Sequence, residues 1–293
     1  MNEIYSYGLL TCATIMFGFM FFFSDMFRKN YGSGLKPSLI VNLGGSAFGL
    51  LVLLLIKGFV FEFSVFALIM SMVSTVNNLL FSLCSLKALS KINLSLYSLF
   101  TMLGGMILPF LSGILFHNEL FTLNKLICII VIILALSLTV EKGKKSSGTL
   151  YYMGIFVFNG MSAVIAKLYQ ALPFSKISSA GYSILKTVVT ILICAILLLF
   201  VKGDKKKINW KVIVAMAGNG TLSHTANWLV LVALYTLPAS VQYPFITGGT
   251  MIVSTVISFF GNKKPKPKEV FAVALSFIGI LLLIYIPEIN LIK

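Results

Sequence analysis

The stretch Ala233-Leu234-Tyr235-Thr236-Leu237-Pro238-Ala239-Ser240 turns the chain and leads into an apolar run that ends near Phe260. An earlier stretch, Ala88-Leu89-Ser90-Lys91-Ile92-Asn93-Leu94-Ser95, does the same and runs on to Phe116. One shift of 145 residues, from Ala88 to Ala233, superimposes the two. Without a gap, the same shift lays Leu53 on Leu198, Lys57 on Lys202, Gly58 on Gly203, Phe100 on Phe245, Gly104 on Gly249 and Met106 on Met251. Matches between leucine-rich runs arise by chance. A constant shift that also pairs a charge, a serine and glycines marks an internal repeat. The chain therefore reads as two copies of one unit, residues 1–145 and 146–293.

Outward from these copies, the composition sets the class. Of 293 residues, 58% are hydrophobic and only 11% charged, against about 25% charged in a soluble chain. The apolar residues come in blocks long enough to cross a bilayer, and runs such as Leu50 to Ile56 and Ile127 to Leu136 lack the alternation of a membrane β-barrel. An all-α polytopic membrane protein is expected, with ten segments near 4–27, 37–56, 65–88, 94–116, 123–140, 150–170, 178–201, 211–235, 239–260 and 269–286. The charged linker Glu141 to Ser147 divides them five and five. An odd number per half sets the second half upside down, an inverted repeat of the kind that builds midplane sites in secondary transporters. The sequence begins Met1-Asn2-Glu3, without a basic leader region, so the first block reads as a retained span.

The net charge of +15 comes from basic residues between apolar blocks, where they orient the chain against a cytoplasmic membrane face and imply no nucleic-acid partner. One set of connections carries 17 lysines and arginines, and the other carries Lys57, Lys125, Lys176 and Lys293. Positive-inside logic puts the richer set in the cytoplasm and both termini outside. Lys167 and Lys186 remain within segments. The expected location is the cell membrane. The four cysteines, Cys12, Cys84, Cys128 and Cys194, sit in apolar blocks and read as packing residues.

Polar residues within such blocks face the bundle interior or a watery cavity. Ser71, Ser74, Thr75, Asn78, Ser82 and Ser85 form one stripe on the third segment, and Asn219, Ser223 and Asn227 form another on the eighth. The 145-residue shift lays the second stripe onto Ser74, Asn78 and Ser82. A third stripe, Ser240, Tyr243, Thr247, Thr250, Ser254 and Ser258, marks the ninth segment. A central cavity between segments 3, 4, 8 and 9 is expected. Each hydroxyl also has a plainer reading as helix-packing glue, which fits the bulky amides Asn78 and Asn227 less well, because they need partners if buried. Gly104-Gly105, Pro109, Pro244 and Gly248-Gly249 either kink segments 4 and 9 or let helices approach closely.

His224 and Trp228 stand four apart on the eighth segment, and Tyr97 and Tyr243 lie early in the fourth and ninth. Their rings suit stacking or an organic cation, with lipid contact and packing as the ordinary alternative. Lys186 lies several residues inside the seventh segment, where a lysine costs about 2.5–3.5 kcal/mol on insertion scales. Either it snorkels to an interface or it meets a carboxylate or phosphate. Lys167 and Asp25 are expected at interfaces. The candidate binding set is Asn78, Ser82, Tyr97, Asn159, Lys186, His224, Asn227, Trp228, Tyr243 and Thr247. No phosphate-binding loop, metal cluster or nucleophile elbow is present in the sequence, so no enzyme activity and no cofactor are expected. The expected partners are a small-molecule substrate and the lipid bilayer, with protons or another ion as candidate coupling partners.

With ten segments in two halves and these turns, the chain resembles the EamA-type members of the drug/metabolite transporter superfamily. The resemblance spans nearly the whole chain and rests on Ala-Leu-x-x-Leu-Pro-Ala-Ser at Ala233 to Ser240, its looser copy at Ala88 to Ser95, Phe17-Gly18, and His117-Asn118-Glu119. The second copy departs at Gly261-Asn262-Lys263-Lys264, which has no glutamate. The family expectation of cytoplasmic termini also differs from the charge-based orientation. The resemblance implies an alternating-access carrier with a cavity among segments 1, 3, 4, 6, 8 and 9. A carrier of a small polar or zwitterionic metabolite such as an amino acid is the first expectation. An organic-cation carrier is the second, and a membrane-embedded lipid-modifying enzyme or an assembly subunit the third.

Overall fold

The structure, a computed structural model, describes residues 3–58, 61–91, 94–117, 122–138, 149–172, 174, 177–202, 207–260, 265–286 and 289. They form ten α-helices: α1 (Glu3–Tyr31), α2 (Leu35–Lys57), α3 (Val65–Lys91), α4 (Leu94–His117), α5 (Leu123–Ser137), α6 (Thr149–Ala171), α7 (Ser179–Phe200), α8 (Trp210–Ala233), α9 (Ala239–Phe259) and α10 (Pro267–Tyr285). Each coincides with one segment expected from sequence. The linker 141–147, Glu119, Lys205, Lys206 and Gly261 to Lys264 lie outside the described residues.

An apolar chain in hydrocarbon must bond its backbone within itself, and a helix does so. Five helices, α1, α2, α3, α6 and α7, are long and apolar enough to cross a membrane. Their outer faces carry large side chains with no cover, among them Leu51, Leu55, Ile69, Val76, Ile196 and Leu199. Hydroxyls such as Thr75, Thr187 and Thr190 are buried instead. This inside-out distribution suits a lipid surround. Polar punctuation ends the helices. Gly58 closes α2 at φ 80°, its N–H donating to Leu54 O at 2.8 Å, a left-handed stop that glycine adopts without penalty. The side chains of Ser178 and Asn209 cap the first turns of α7 and α8.

The packing pairs repeat with a five-helix offset. Helix α1 lies on α8 as α6 lies on α3, α2 on α8 as α7 on α3, and α4 on α6 as α9 on α1. The self-related pairs α2 with α7, α4 with α9 and α5 with α10 also touch. The correspondence reaches single residues. A Cβ on Gly220 would meet Gly45 O at 1.9 Å, where α8 crosses α2. The 145-residue shift carries that pair to Thr75 and Thr190, whose hydroxyls bond at 3.0 Å where α3 crosses α7.

Helix α4 passes through Pro109 and α9 through Gly248-Gly249 without a break. Three of the glycines serve close approach: Gly104 lies against the Phe156 backbone, Gly105 against Asn159 and Gly249 against Thr14.

At one end of the bundle, Glu62 joins three elements. It takes the Lys57 ammonium at the end of α2 as its ion-pair partner, and it accepts from Ser178 N at 2.6 Å and Ser178 Oγ at 2.9 Å at the start of α7. The Lys57 charge, aided by the Ser178 bonds and against some burial, holds the Glu62 carboxyl below its usual range. A carboxyl with a lowered folded-state pKa adds stability above its unfolded value and loses it as pH falls through the folded value. The melting temperature of the wild type should therefore drop on acidification below about pH 4.5, beyond the loss seen in Glu62→Gln. That variant should melt lower at neutral pH and converge with the wild type in acid. Parallel pH curves for the two proteins would refute a role for this carboxylate.

Candidate functional site

The polar stripes meet at a cavity with about 140 Å³ of room, close to the roughly 150 Å³ of an engineered cavity that holds benzene. That size suits a small metabolite. Helices α1, α3, α4, α6, α7, α8 and α9 all reach it. Sequence reasoning placed it between segments 3, 4, 8 and 9, and the family resemblance added 1 and 6. Helix α7 enters as well, through Tyr182 and Lys186.

Six of the ten expected site residues line the cavity: Asn78, Asn159, Lys186, Asn227, Tyr243 and Thr247. Asn159 also donates to Thr101 O at 2.6 Å, tying α6 to α4. Asn227 donates to Ser223 O of its own helix at 2.8 Å. Tyr243 Oη donates to Ala163 O at 3.0 Å, so its hydroxyl is engaged. Lys186 does not snorkel to an interface. Seven residues after Ser179, about 10 Å down the helix axis at 1.5 Å per residue, it faces the cavity.

Four expected residues do not line it. Tyr97 is buried in a core cluster, bonded to Ser85 Oγ at 2.7 Å and set edge-on to Phe21. Trp228 follows Asn227 by one residue, about 100° round the helix, and packs with Leu10, Leu229 and Tyr243. At the level of Ser82 it is Phe81 that meets the cavity. His224 sits where α2, α7 and α8 join. Thr187 Oγ1 donates to Ser183 O at 2.7 Å, so it accepts from Nδ1–H at 3.0 Å. Nε2 then accepts from Ser46 Oγ at 3.2 Å. With both nitrogens engaged, His224 is a clamp between helices.

The stripes are thus of mixed use. Ser74 and Asn78 line the cavity while Thr75 and Ser85 bond other helices. Asn219 donates to Ser24 Oγ at 2.7 Å between α8 and α1. On α9, Tyr243 and Thr247 face the cavity, and Ser254 and Ser258 donate to carbonyls of their own helix. Tyr182 and Ser162 line the cavity without having been singled out from sequence. The signal was there: Tyr182 is four before Lys186, and Ser162 three after Asn159, each on the same helix face as its neighbour. Tyr182 Oη bonds Ser74 Oγ at 3.0 Å across α7 and α3.

Asp25, expected at an interface, pairs with Arg28 at 2.7 Å and Lys29 at 2.6 Å in the last turns of α1. Lys167, expected there too, is buried late in α6. All four cysteines are free, with Cys128 and Cys194 buried and Cys12 exposed. Among the described residues, no cluster of histidine, cysteine, aspartate and glutamate is set to hold a metal.

These features define an all-α protein with several helices able to cross a membrane and a polar cavity inside the bundle. No family model matches the chain, and neither does any curated protein. A solved structure described only as "Crystal structure of protein" aligns over 96% of this chain and 96% of its own, with a TM-score of 0.65 and 13% sequence identity. At that identity the likeness shows a shared fold and carries no function.

Proposed function

We propose that the chain is a secondary transporter of a small polar or zwitterionic metabolite, an EamA-type member of the drug/metabolite transporter superfamily. In this reading all ten helices span the cell membrane as two inverted five-helix repeats, with the lysine-rich connections in the cytoplasm. The carrying observation is the cavity itself. It lies deep in an apolar-coated bundle, is lined by Asn78, Asn159 and Asn227, and receives equivalent helices of both halves, α1 with α6, α3 with α8 and α4 with α9. The five-helix offset in the packing pairs supports the repeat. Rocking of one half against the other opens such a site to each side in turn. The gradient that drives it is not part of the proposal.

The test is a melting screen of the purified protein in detergent, followed by flux in proteoliposomes. A ligand that binds the folded state raises its melting temperature with concentration and affinity. At least one small polar compound should do so and then cross the proteoliposome membrane faster than in protein-free vesicles. A compound that binds and is chemically converted without crossing would replace transport with an enzymatic reading.

A further inference from the structure

The cavity contains an unanswered charge. Lys186 lines it, and the cavity wall holds no carboxylate. The acidic residues whose side chains are described, Asp25, Glu62 and Glu3, do not line it. Asp25 is held by Arg28 and Lys29, and Glu62 by Lys57, each at a bundle end. Glu3 stands exposed in the first turn of α1. The ammonium of Lys186 donates no hydrogen bond to any described residue. The other polar groups on the wall are neutral. Tyr182, one turn earlier on α7, is bonded to Ser74, and the amides of Asn78 and Asn227 face the same space.

We infer that Lys186 is the anion-binding group of this cavity, and that its occupant carries a carboxylate or a phosphate seated on the Lys186 ammonium. The inference rests on reading the cavity as a substrate site and narrows what that substrate is. A cation without a partner in a low-dielectric bundle is costly, and an anionic ligand offsets that cost by completing the pair. The remaining lining is suited to the rest of such a ligand. The Asn78, Asn159 and Asn227 amides and the Ser162 and Thr247 hydroxyls offer donors and acceptors to hydroxyl or amino groups, and Phe17 and Phe81 cover its apolar part. The same charge repels a quaternary amine, although the aromatic wall alone would favour one. Phosphate and carboxylate share this docking chemistry, and the probe sets below separate them.

Calorimetry on the full-length protein in detergent would use four probe sets: the common amino acids, their methyl esters, small phosphate esters such as glycerol 3-phosphate, and choline. Binding is expected from a member of the amino-acid or the phosphate set, and which of the two binds identifies the source of the anion. A bound amino acid should weaken at least tenfold as its methyl ester. Either ligand should weaken at least tenfold in Lys186→Met and regain part of that affinity in Lys186→Arg. Absence of binding by every anionic probe would overturn the inference, as would choline binding equally to wild type and Lys186→Met. A ligand-free measurement stands beside these. Removing an unpaired cation should make Lys186→Met melt higher than wild type, whereas a lower melting temperature would show that Lys186 has a structural partner and refute the inference. Proteoliposome flux separates the two claims. An anion that binds through Lys186 but does not cross leaves the anion site standing and removes transport. A cation that crosses equally well with Lys186→Met leaves transport standing and removes the anion site.

Discussion

Gly104→Ala is expected to cost several kcal/mol or to leave no folded protein, and Gly220→Ala the same. A Cβ on Gly104 would stand 1.8 Å from Phe156 O and 2.5 Å from Phe156 C. One on Gly220 would stand 1.9 Å from Gly45 O and 2.2 Å from Gly45 C. These obstacles are backbone atoms of α6 and α2, which cannot rotate aside as a side chain would. The helices must separate, and the contacts along α4 with α6, or α2 with α8, weaken together. Overpacking typically costs about 1–3 kcal/mol even where side chains can adjust, so a backbone collision belongs at or above the top of that range. Gly8→Ala is the control. Nothing lies within 4 Å of its added Cβ, and a mid-helix glycine replaced by alanine gains about 0.5–1 kcal/mol. Yield after size exclusion and melting temperature in detergent decide the matter. Near-wild-type melting of Gly104→Ala or Gly220→Ala would mean that these helix crossings are looser than described.

The same crossings explain what was legible in the sequence. Helix positions followed from apolar blocks of bilayer length, a signal that backbone bonding in hydrocarbon makes strong, and all ten helices lie where those blocks were read. The 145-residue shift also carried structural information, since Gly45 with Gly220 and Thr75 with Thr190 occupy equivalent crossings. One crossing solves the approach by removing side chains and the other by bonding two hydroxyls. The site was harder to read, because helical period gives the face of a helix but not what stands opposite that face. Asn78 and Thr75 share a stripe, yet one faces the cavity and the other faces Thr190. His224 stood in the sequence as a candidate binding ring and is a clamp, because Ser46 and Thr187 reach it from two other helices. Lys186 stood out because a lysine within an apolar block has few comfortable places, and the cavity is one of them.

Adjacent asparagines should separate packing from binding. Asn77 is buried and donates to Phe158 O at 2.9 Å and Ser162 Oγ at 2.7 Å, joining α3 to α6. Asn78, about 100° round the same helix, faces the cavity and has no hydrogen-bond partner among the described residues. Asn77→Leu removes two interhelical bonds. Such bonds average about 0.6 kcal/mol in membrane proteins and reach about 1.7, so the melting temperature should fall by a few degrees while the folded fraction still carries substrate. Asn78→Leu removes no internal bond and exchanges a polar cavity wall for an apolar one. Its melting temperature without ligand should hold or rise. Flux of the ligand found in the melting screen should fall tenfold or more, the equivalent of about 1.4 kcal/mol of lost binding. The crossed pattern is the point of the test. A purely structural polar stripe would make both variants lose stability and flux together, and that outcome would remove Asn78 from the site. A cavity unrelated to transport would leave flux through Asn78→Leu at the wild-type rate. Loss of ligand-induced stabilisation in Asn78→Leu alone would fix the substrate's position beside the third helix, next to Lys186's helix, which Ser74 and Tyr182 join to it.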